Sequence, residues 1–144
     1  MANVAKNQPD ARVDGILVVK MVQGGQEVIL GLTKDPSFGP VIMFGMGGIF
    51  VEVLKDVGFL VAPPSSGAIK NVVQGTKSFP LLKGVRGQKP RDLEAIYDCI
   101  GRLSQLAIDF PCIQELDINP LLVRHQGDGC CAVDARILLK VDAQ

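Results

Sequence analysis

The sequence has few of the residues on which metal sites and nucleophilic catalysis usually depend. It contains one histidine, His125, and four cysteines without C-x-x-C spacing, which leaves too few ligands for a zinc site. A thiol nucleophile or a Ser/His/Asp triad would need His125 as its base, and this residue lies in a predicted turn. The cysteines are therefore interpreted as reduced and structural; they are Cys99, Cys112, Cys130 and Cys131.

The chain also lacks an excess of charge and a long apolar run. Fifteen basic and fifteen acidic residues give a formal net charge of zero, which removes the electrostatic argument for binding nucleic acid or an anionic membrane. No apolar stretch reaches the length of about 18 residues that a membrane span needs, and the N-terminus has no signal-peptide core. We therefore predict a cytoplasmic protein whose partners are small molecules or other proteins.

The sequence does have enough apolar residues for one core. At 144 residues and 47% hydrophobic composition, the chain has the size of one globular domain. The predicted organisation is a flexible segment over residues 1–12, followed by one domain over residues 13–140.

Short apolar runs between turn residues predict a mainly antiparallel sheet. Residues 16–22 and 27–33 are β-branched runs joined by the turn at residues 23–26, and they are predicted to pair with each other. Two further strands are predicted over residues 41–44 and 57–61.

Two helices are predicted beside these strands. Residues 91–108 have apolar side chains at helical spacing, with Pro90 in the first turn and Asp92 near the positive end of the helix dipole. Another helix starts at Ser65 or Ser66. Successive strands with two or so inserted helices predict an α+β fold, with the helices packed on one face of the sheet.

Two stretches near the C-terminus, residues 115–120 and 133–136, carry most of the chemical information. If the first stretch is a strand, its alternation puts Glu115, Asp117 and Asn119 on one face. Residues spaced in this way are roughly 6 to 7 Å apart at Cα, so their oxygens can converge on a hard cation that also holds phosphate oxygens. The pattern favours a magnesium–nucleotide site.

The glycine-rich break at residues 124–129 predicts a hairpin between these two stretches. A turn centred on residues 126–127 sets Asn119 directly across from Asp134, whereas a turn centred on residues 127–128 puts them a residue off centre, still on the same side. A slip of one residue would turn Asp134 to the packed face. An edge hairpin whose polar side chains are merely solvated is the alternative interpretation.

Three other features are candidates for ligand contact, each with a simpler alternative. The glycines in residues 45–48 would let backbone N–H groups approach a phosphate, or they form a plain tight turn. Glu27 opens a strand, where it would accept ribose hydroxyls or be an exposed strand-end glutamate. Arg86, between two glycines, would reach a phosphate or carboxylate, or be a solvated loop arginine.

Taken in order, these elements resemble one known family. The motifs that carry the resemblance are residues 15–21, 25–31, 35–40, 44–48 with 51–52, 86–87, and 115–120 with 133–136. Together they are similar to the C-terminal part of the ATP-grasp domain of NDP-forming acyl-CoA synthetases, to which the β subunit of succinyl-CoA synthetase is more distantly related. The resemblance covers roughly residues 10–140.

The resemblance implies a role for each residue in the acidic hairpin. Asn119 and Asp134 would hold Mg²⁺, with Asp117 beside them in the same metal site. Asp134 and Arg136 would be catalytic, and Glu52 would support the site.

For the nucleotide, ATP or ADP, the resemblance implies backbone contacts to adenine from a hinge, a carboxylate on the ribose, and glycines near the phosphates. In that order, the residues are Lys20, Met21 and Val22, then Glu27, then Gly45, Gly47 and Gly48.

The implied reaction converts an acid, ATP and coenzyme A into acyl-CoA, ADP and phosphate, or runs in reverse, through a phosphohistidine to which His125 does not correspond. The first half of the ATP-grasp domain, the phosphohistidine segment and the ligase domains would lie in other sequence, so we expect no complete activity from this chain alone. Two alternatives are a regulatory ATP-grasp module of a protein lysine acetyltransferase, without ligase turnover, and an α+β domain that binds a protein partner.

Overall fold

The computed structural model describes residues 6–48, 55–85 and 87–140. Six strands in these ranges form one sheet in the order β3-β2-β1-β4-β5, with β6 also pairing with β4, and all of these pairings are antiparallel. The elements are β1 (Gln26–Asp35), β2 (Gly39–Met46), β3 (Val57–Val61), α1 (Ser66–Gln74), α2 (Phe79–Lys83), α3 (Leu93–Asp109), β4 (Ile113–Val123), β5 (Cys130–Ala132) and β6 (Ala135–Leu139). The predicted α+β fold class is confirmed.

The helices cover one face of the sheet and build the core there. Alternate strand residues such as Leu30, Ile42 and Leu116 pack with Ile96 and Ile100 of α3 in one buried cluster. The period-2 pattern of the strands and the 3.6-residue pattern of α3 therefore meet on the same face. Burying each of these side chains contributes roughly 1.5 to 3 kcal/mol.

Both predicted helices are present, with small shifts in their boundaries. α1 begins after Ser65, whose Oγ accepts a hydrogen bond from Ala68 N–H at 3.2 Å. α3 begins at Leu93, and its N-cap is Asp92, so Pro90 precedes the helix and does not lie in its first turn. None of the helices in the described ranges is long and apolar enough to cross a membrane.

The short helix α2 was not predicted, because its start is held by a residue that is distant in sequence. The Asp56 carboxylate accepts hydrogen bonds from Lys77 N–H at 2.8 Å and from Ser78 N–H at 2.7 Å. These bonds fix the two residues that lead into α2, directly before its first residue Phe79. No side chain near Ser78 in sequence signals them.

The predicted strand over residues 16–22 is wrong. These residues form no strand, and Ile16, Leu17, Val18 and Val19 are 71 to 87% exposed. The physical reason is that β1 already bonds to β2 along one edge and to β4 along the other, so the run before it has no free edge of β1 to join. The strands predicted over residues 41–44 and 57–61 are confirmed as parts of β2 and β3.

All four cysteines are free thiols. Cys99 on α3 and Cys130 on β5 lie close together, with 3.2 Å between their sulfur atoms. Burial, together with the hydrogen bond to the neighbouring Cys130, raises the pKa of the Cys99 thiol to about 12. Cys99 is therefore a neutral packing residue at neutral pH, as predicted from the sequence.

Candidate functional site

The acidic hairpin near the C-terminus has one register from Glu115 to Val123. The pairs of β4 with β5 and with β6 place the turn at residues 126–127, which is the first of the two predicted alternatives. Asn119 N–H donates a hydrogen bond to the Asp134 carbonyl oxygen at 3.2 Å. The one-residue slip is therefore absent, and Asn119 and Asp134 lie directly across from each other.

The face of the sheet that the helices leave open contains a pocket of about 410 Å³. Asp117 lines it and is paired with Gly31 of β1 on one side and with Arg136 of β6 on the other. Leu116 and Ile118, between the polar residues of β4, pack towards the core. Side chains from five strands line the pocket, among them Thr33, Met43, Phe59, Glu115, Asp117 and Arg136.

The oxygens of Asn119 and Asp134 are accessible beside this pocket, because both residues are exposed. Asp134 Oδ1 accepts a hydrogen bond from Ala135 N–H at 2.9 Å, which orients the carboxylate. Within residues 6–48, 55–85 and 87–140, no three His, Cys, Asp or Glu side chains gather as a metal site. A carboxylate and an amide oxygen suit Mg²⁺, which normally keeps water and phosphate oxygens as its remaining ligands.

Glu27 and the glycine loop come together at one end of the open face. Gly47 N–H donates a hydrogen bond to the Glu27 carbonyl oxygen at 2.8 Å. A Cβ atom on Gly47 would lie 2.7 Å from Glu27 Cβ, so only glycine allows this approach. Gly48 follows with a positive φ of 65°, and Gly45 lies in β2 opposite Ile29.

These groups follow one another along the open face. Ile29 of β1 lies opposite a bulge in β4 that contains Asn119, and bulges re-aim side chains in this way. Glu27 is one same-face step along β1 from Ile29, roughly 6 to 7 Å away, and Gly31 opposite Asp117 is one such step in the other direction. We call this arrangement the polar row; its members are Glu27, Gly47, Asn119, Asp134, Asp117 and Arg136.

The predicted hinge lies outside the sheet and directly before it. Lys20 and Met21 are exposed and Val22 is half-buried, and the chain then turns into β1, which begins at Gln26 and carries Glu27. The predicted supporting residues Glu52 and Arg86 lie outside the described residues.

Sequence reasoning missed the apolar part of the pocket and two buried carboxylates. Met43 and Phe59 occupy the strand positions that alternate with the core, which is the signal that could have found them. Hydrogen bonding from Gly129 N–H holds the pKa of Asp92 below its ordinary value, although burial raises it. Burial also raises the pKa of Asp56, but hydrogen bonds from residues 77–78 outweigh it and lower the pKa.

A family model for the ATP-grasp domain matches residues 1–139. The chain belongs to the ATP-grasp family of ADP-forming acyl-CoA synthetases. It is 50% identical over 135 residues to the ADP-forming 4-hydroxybutyrate–CoA ligase of Nitrosopumilus maritimus, a match that covers 94% of this chain and 19% of that protein. It is 46% identical over 139 residues to the β subunit of ADP-forming acetate–CoA ligase II of Pyrococcus furiosus, covering 96% of this chain and 59% of that subunit.

Solved structures of the same family share the fold of this ATP-grasp sequence. Acetyl-coenzyme A synthetase 1 of Ca. Korarchaeum cryptofilum, described with coenzyme A and Mg-AMPPCP, superimposes with a TM-score of 0.78 at 42% identity, covering 83% of this chain and 55% of that chain. The form with acetyl-coenzyme A and a phosphorylated phosphohistidine segment gives a TM-score of 0.85, with 96% and 61% covered. The chain thus spans less than two thirds of the length of these relatives.

Proposed function

We propose that this chain forms part of the magnesium–nucleotide site of an ADP-forming acyl-CoA synthetase, as the C-terminal part of its ATP-grasp domain. The reaction converts a carboxylic acid, ATP and coenzyme A into acyl-CoA, ADP and phosphate. The observation that carries the proposal is the polar row on the open face of a sheet whose other face packs against the helices. The predicted cytoplasmic location belongs to the same proposal.

The roles in the polar row follow from the chemistry of phosphoryl transfer, which asks a protein mainly to position reactants and to neutralise charge. Asp134 and Asn119 would hold Mg²⁺, which supplies charge neutralisation at the phosphate oxygens when bound. Asp117 lies one step further along the row and is paired with Arg136 across the ladder, so the guanidinium would provide a positive charge on the same side of the sheet. None of these residues needs to act as a nucleophile.

The nucleotide would lie along the row towards Glu27. The backbone of the glycine loop approaches closely there, because Gly47 rests on Glu27 without a side chain between them. Gly45 and Gly47 are buried and Gly48 is exposed, so the N–H of Gly48 would be the group that approaches a phosphate oxygen. Glu27 would accept the ribose hydroxyls. The segment Lys20-Met21-Val22, which leads into the same strand, would contact adenine through its backbone.

The remaining parts of a synthetase would cover the apolar surfaces that this chain leaves exposed. The open pocket and the apolar side chains Leu17 and Val18, each 87% exposed, are surfaces that proteins usually bury against a partner. The phosphohistidine segment named for one relative would likewise belong to that other part. His125 does not fill this role, because it lies at the hairpin turn, where its backbone forms an isolated β-bridge with Arg91.

A regulatory module of a lysine acetyltransferase was the alternative interpretation. The relatives reported above are ligases and synthetases, and no observation in the described residues favours the acetyltransferase. The ligase role is therefore retained.

The test is a calorimetric titration with ADP, with and without Mg²⁺. It uses the chain itself and a chimaera in which the chain replaces the matching 59% of the Pyrococcus furiosus β subunit. Asn119→Ala and Asp134→Ala should each reduce the Mg²⁺-dependent gain in ADP affinity by about tenfold or more. Losing even a residue that only hydrogen-bonds to a metal ligand typically lowers metal affinity by about tenfold or more.

Asp128→Ala is the matched control, because this exposed carboxylate lies in the turn of the same hairpin and away from the polar row. It should leave the Mg²⁺ effect unchanged. The proposal is wrong if the chimaera shows no Mg²⁺-dependent binding, or if the control loses as much affinity as Asp134→Ala.

A further inference from the structure

Asp92 links the start of α3 to the turn of the acidic hairpin. Its Oδ1 accepts a hydrogen bond from Ala95 N–H at 3.1 Å and caps the helix. Its Oδ2 accepts two more, from Gly127 N–H and Gly129 N–H, each at 2.9 Å. The residue is only 9% exposed, so these are charge-assisted bonds shielded from water. Capping alone would use one oxygen, and the second oxygen is committed to the turn.

Backbone bonds around Asp92 connect the same two segments. Asp92 N–H donates to the Arg124 carbonyl oxygen at 3.0 Å, and Gln126 N–H donates to the Pro90 carbonyl oxygen at 3.0 Å. These backbone bonds hold the β4 side of the turn, and the Asp92 carboxylate holds Gly127 and Gly129 on the other side of its centre. The position of the turn is set by the helix as well as by the turn residues themselves.

The position of the turn decides where Asp134 points. A turn that is one residue longer or shorter would slip the register by one residue and move Asp134 from the open face to the packed face, because adjacent residues of a strand face opposite sides. A turn centred on residues 127–128 would keep Asp134 on its side but set it across from Leu121, so either change separates Asp134 from Asn119. Gly127 and Gly129 have positive φ angles of 88° and 74°, which glycine adopts freely, so the glycines do not by themselves prevent another turn. The Asp92 carboxylate stabilises the turn in which the N–H groups of Gly127 and Gly129 both point towards it.

We propose that Asp92 is a positioning residue for the metal-holding pair: by fixing the hairpin turn against α3, it keeps Asp134 across from Asn119 on the open face. The metal part of this inference rests on the proposed function, whereas the fixing of the register does not. Asp92 touches neither the nucleotide nor the ion, and it acts only through the hairpin.

Asp92→Ser is the informative variant, because serine is a good helix cap but is too short to reach the turn as well. Asp56→Ser is its matched control: this carboxylate is also buried and also accepts two backbone N–H groups, but it lies at the start of α2. Thermal unfolding of both variants checks that each one still folds.

Two readouts are measured on the full chain, and the titrations are repeated in the chimaera. The first is hydrogen exchange at the amides of Asn119 and Val133, which bond to the carbonyl oxygens of Asp134 and Pro120. The second is the Mg²⁺-dependent gain in ADP affinity. Asp92→Ser should speed exchange at both amides about tenfold and reduce the Mg²⁺ gain by a similar factor, as expected for the loss of hydrogen bonds to a charged group. Asp56→Ser should change neither.

The outcomes separate this inference from the proposed function. Unchanged exchange in Asp92→Ser, or equal acceleration in Asp56→Ser, overturns the fixing of the register. Faster exchange with an intact Mg²⁺ gain overturns the positioning of the metal pair. A wild-type chimaera without any Mg²⁺ gain overturns the proposed function, and the exchange measurement then still decides whether Asp92 holds the hairpin.

Discussion

The two faces of the sheet are made by the same strands, yet they serve different ends. Leu30 and Phe44 point to the helices and are fully buried, whereas their chain neighbours Gly31 and Met43 line the open pocket. One residue of displacement along a strand separates a side chain that stabilises the fold from one that lines the open pocket. The comparison indicates that substitutions on the covered face change stability, and that those on the open face change binding.

The largest expected effect tests this comparison with two phenylalanines. Phe44→Ala removes a fully buried side chain from the covered face and should lower the free energy of unfolding by about 3 to 5 kcal/mol. Phe59→Ala, on the open face and 61% exposed, should cost less than about 1 kcal/mol. Urea unfolding measures both values, and equal losses would contradict the division between the faces.

An intermediate effect is expected at the point where the open face meets the glycine loop. Gly47→Ala would place Cβ 2.7 Å from Glu27 Cβ and 3.0 Å from its carbonyl carbon, so the backbone must shift at a cost of about 1 to 3 kcal/mol. Gly101→Ala is the control, because nothing lies within 4 Å of the added atom. In the interior of α3 it should stabilise by about 0.5 to 1 kcal/mol. Thermal unfolding measures both changes in stability. The steric argument would be refuted if both substitutions stabilised the protein or both destabilised it.

The smallest expected effect concerns the buried carboxylate Asp92, which joins the start of α3 to the hairpin turn. The pKa of Asp92 is lowered by hydrogen bonds from Gly129 and other N–H groups, from an ordinary value of 3.8. Its stabilising contribution is therefore fully present above pH 3.8 and is lost as the pH falls through the lowered pKa. The free energy of unfolding should fall on acidification, and it should fall less in Asp92→Ser than in the wild type.

Urea unfolding at several acidic pH values measures this difference. Ser65→Ala is the control, because it removes a helix cap that carries no titratable group. Its pH dependence should match that of the wild type. An Asp92→Ser curve parallel to the wild-type curve would show that Asp92 does not contribute to acid sensitivity.

Features set by neighbouring residues could be predicted from the sequence. The alternation in β4 correctly placed Asp117 and Leu116 on opposite faces. The glycine-rich break correctly predicted the hairpin, and the structure has the first of the two turn positions that it allowed. The helical spacing of α3 was recognised for the same reason. Each of these signals lies within a few residues of the element it describes.

Features set by distant residues could not be predicted. Residues 16–22 have the composition of a strand, but only the full set of pairings shows that β1 is bonded on both edges. The start of α2 depends on Asp56, and the turn of the hairpin depends on Asp92 as much as on its glycines. The roles of the individual residues in the polar row stay predictions, because they concern ligands that the fold alone does not identify.

The bare run Ile16–Val19 has a practical consequence for handling the protein. It is a β-branched, uncharged stretch, and β6 pairs with β4 while its other edge has no partner strand among the described residues. Exposed apolar runs and unpaired strand edges of this kind pair between molecules, and this pairing starts aggregation. Dilute solutions, or co-expression with the remainder of a synthetase, should therefore keep the chain dispersed, whereas concentrating it alone favours self-association.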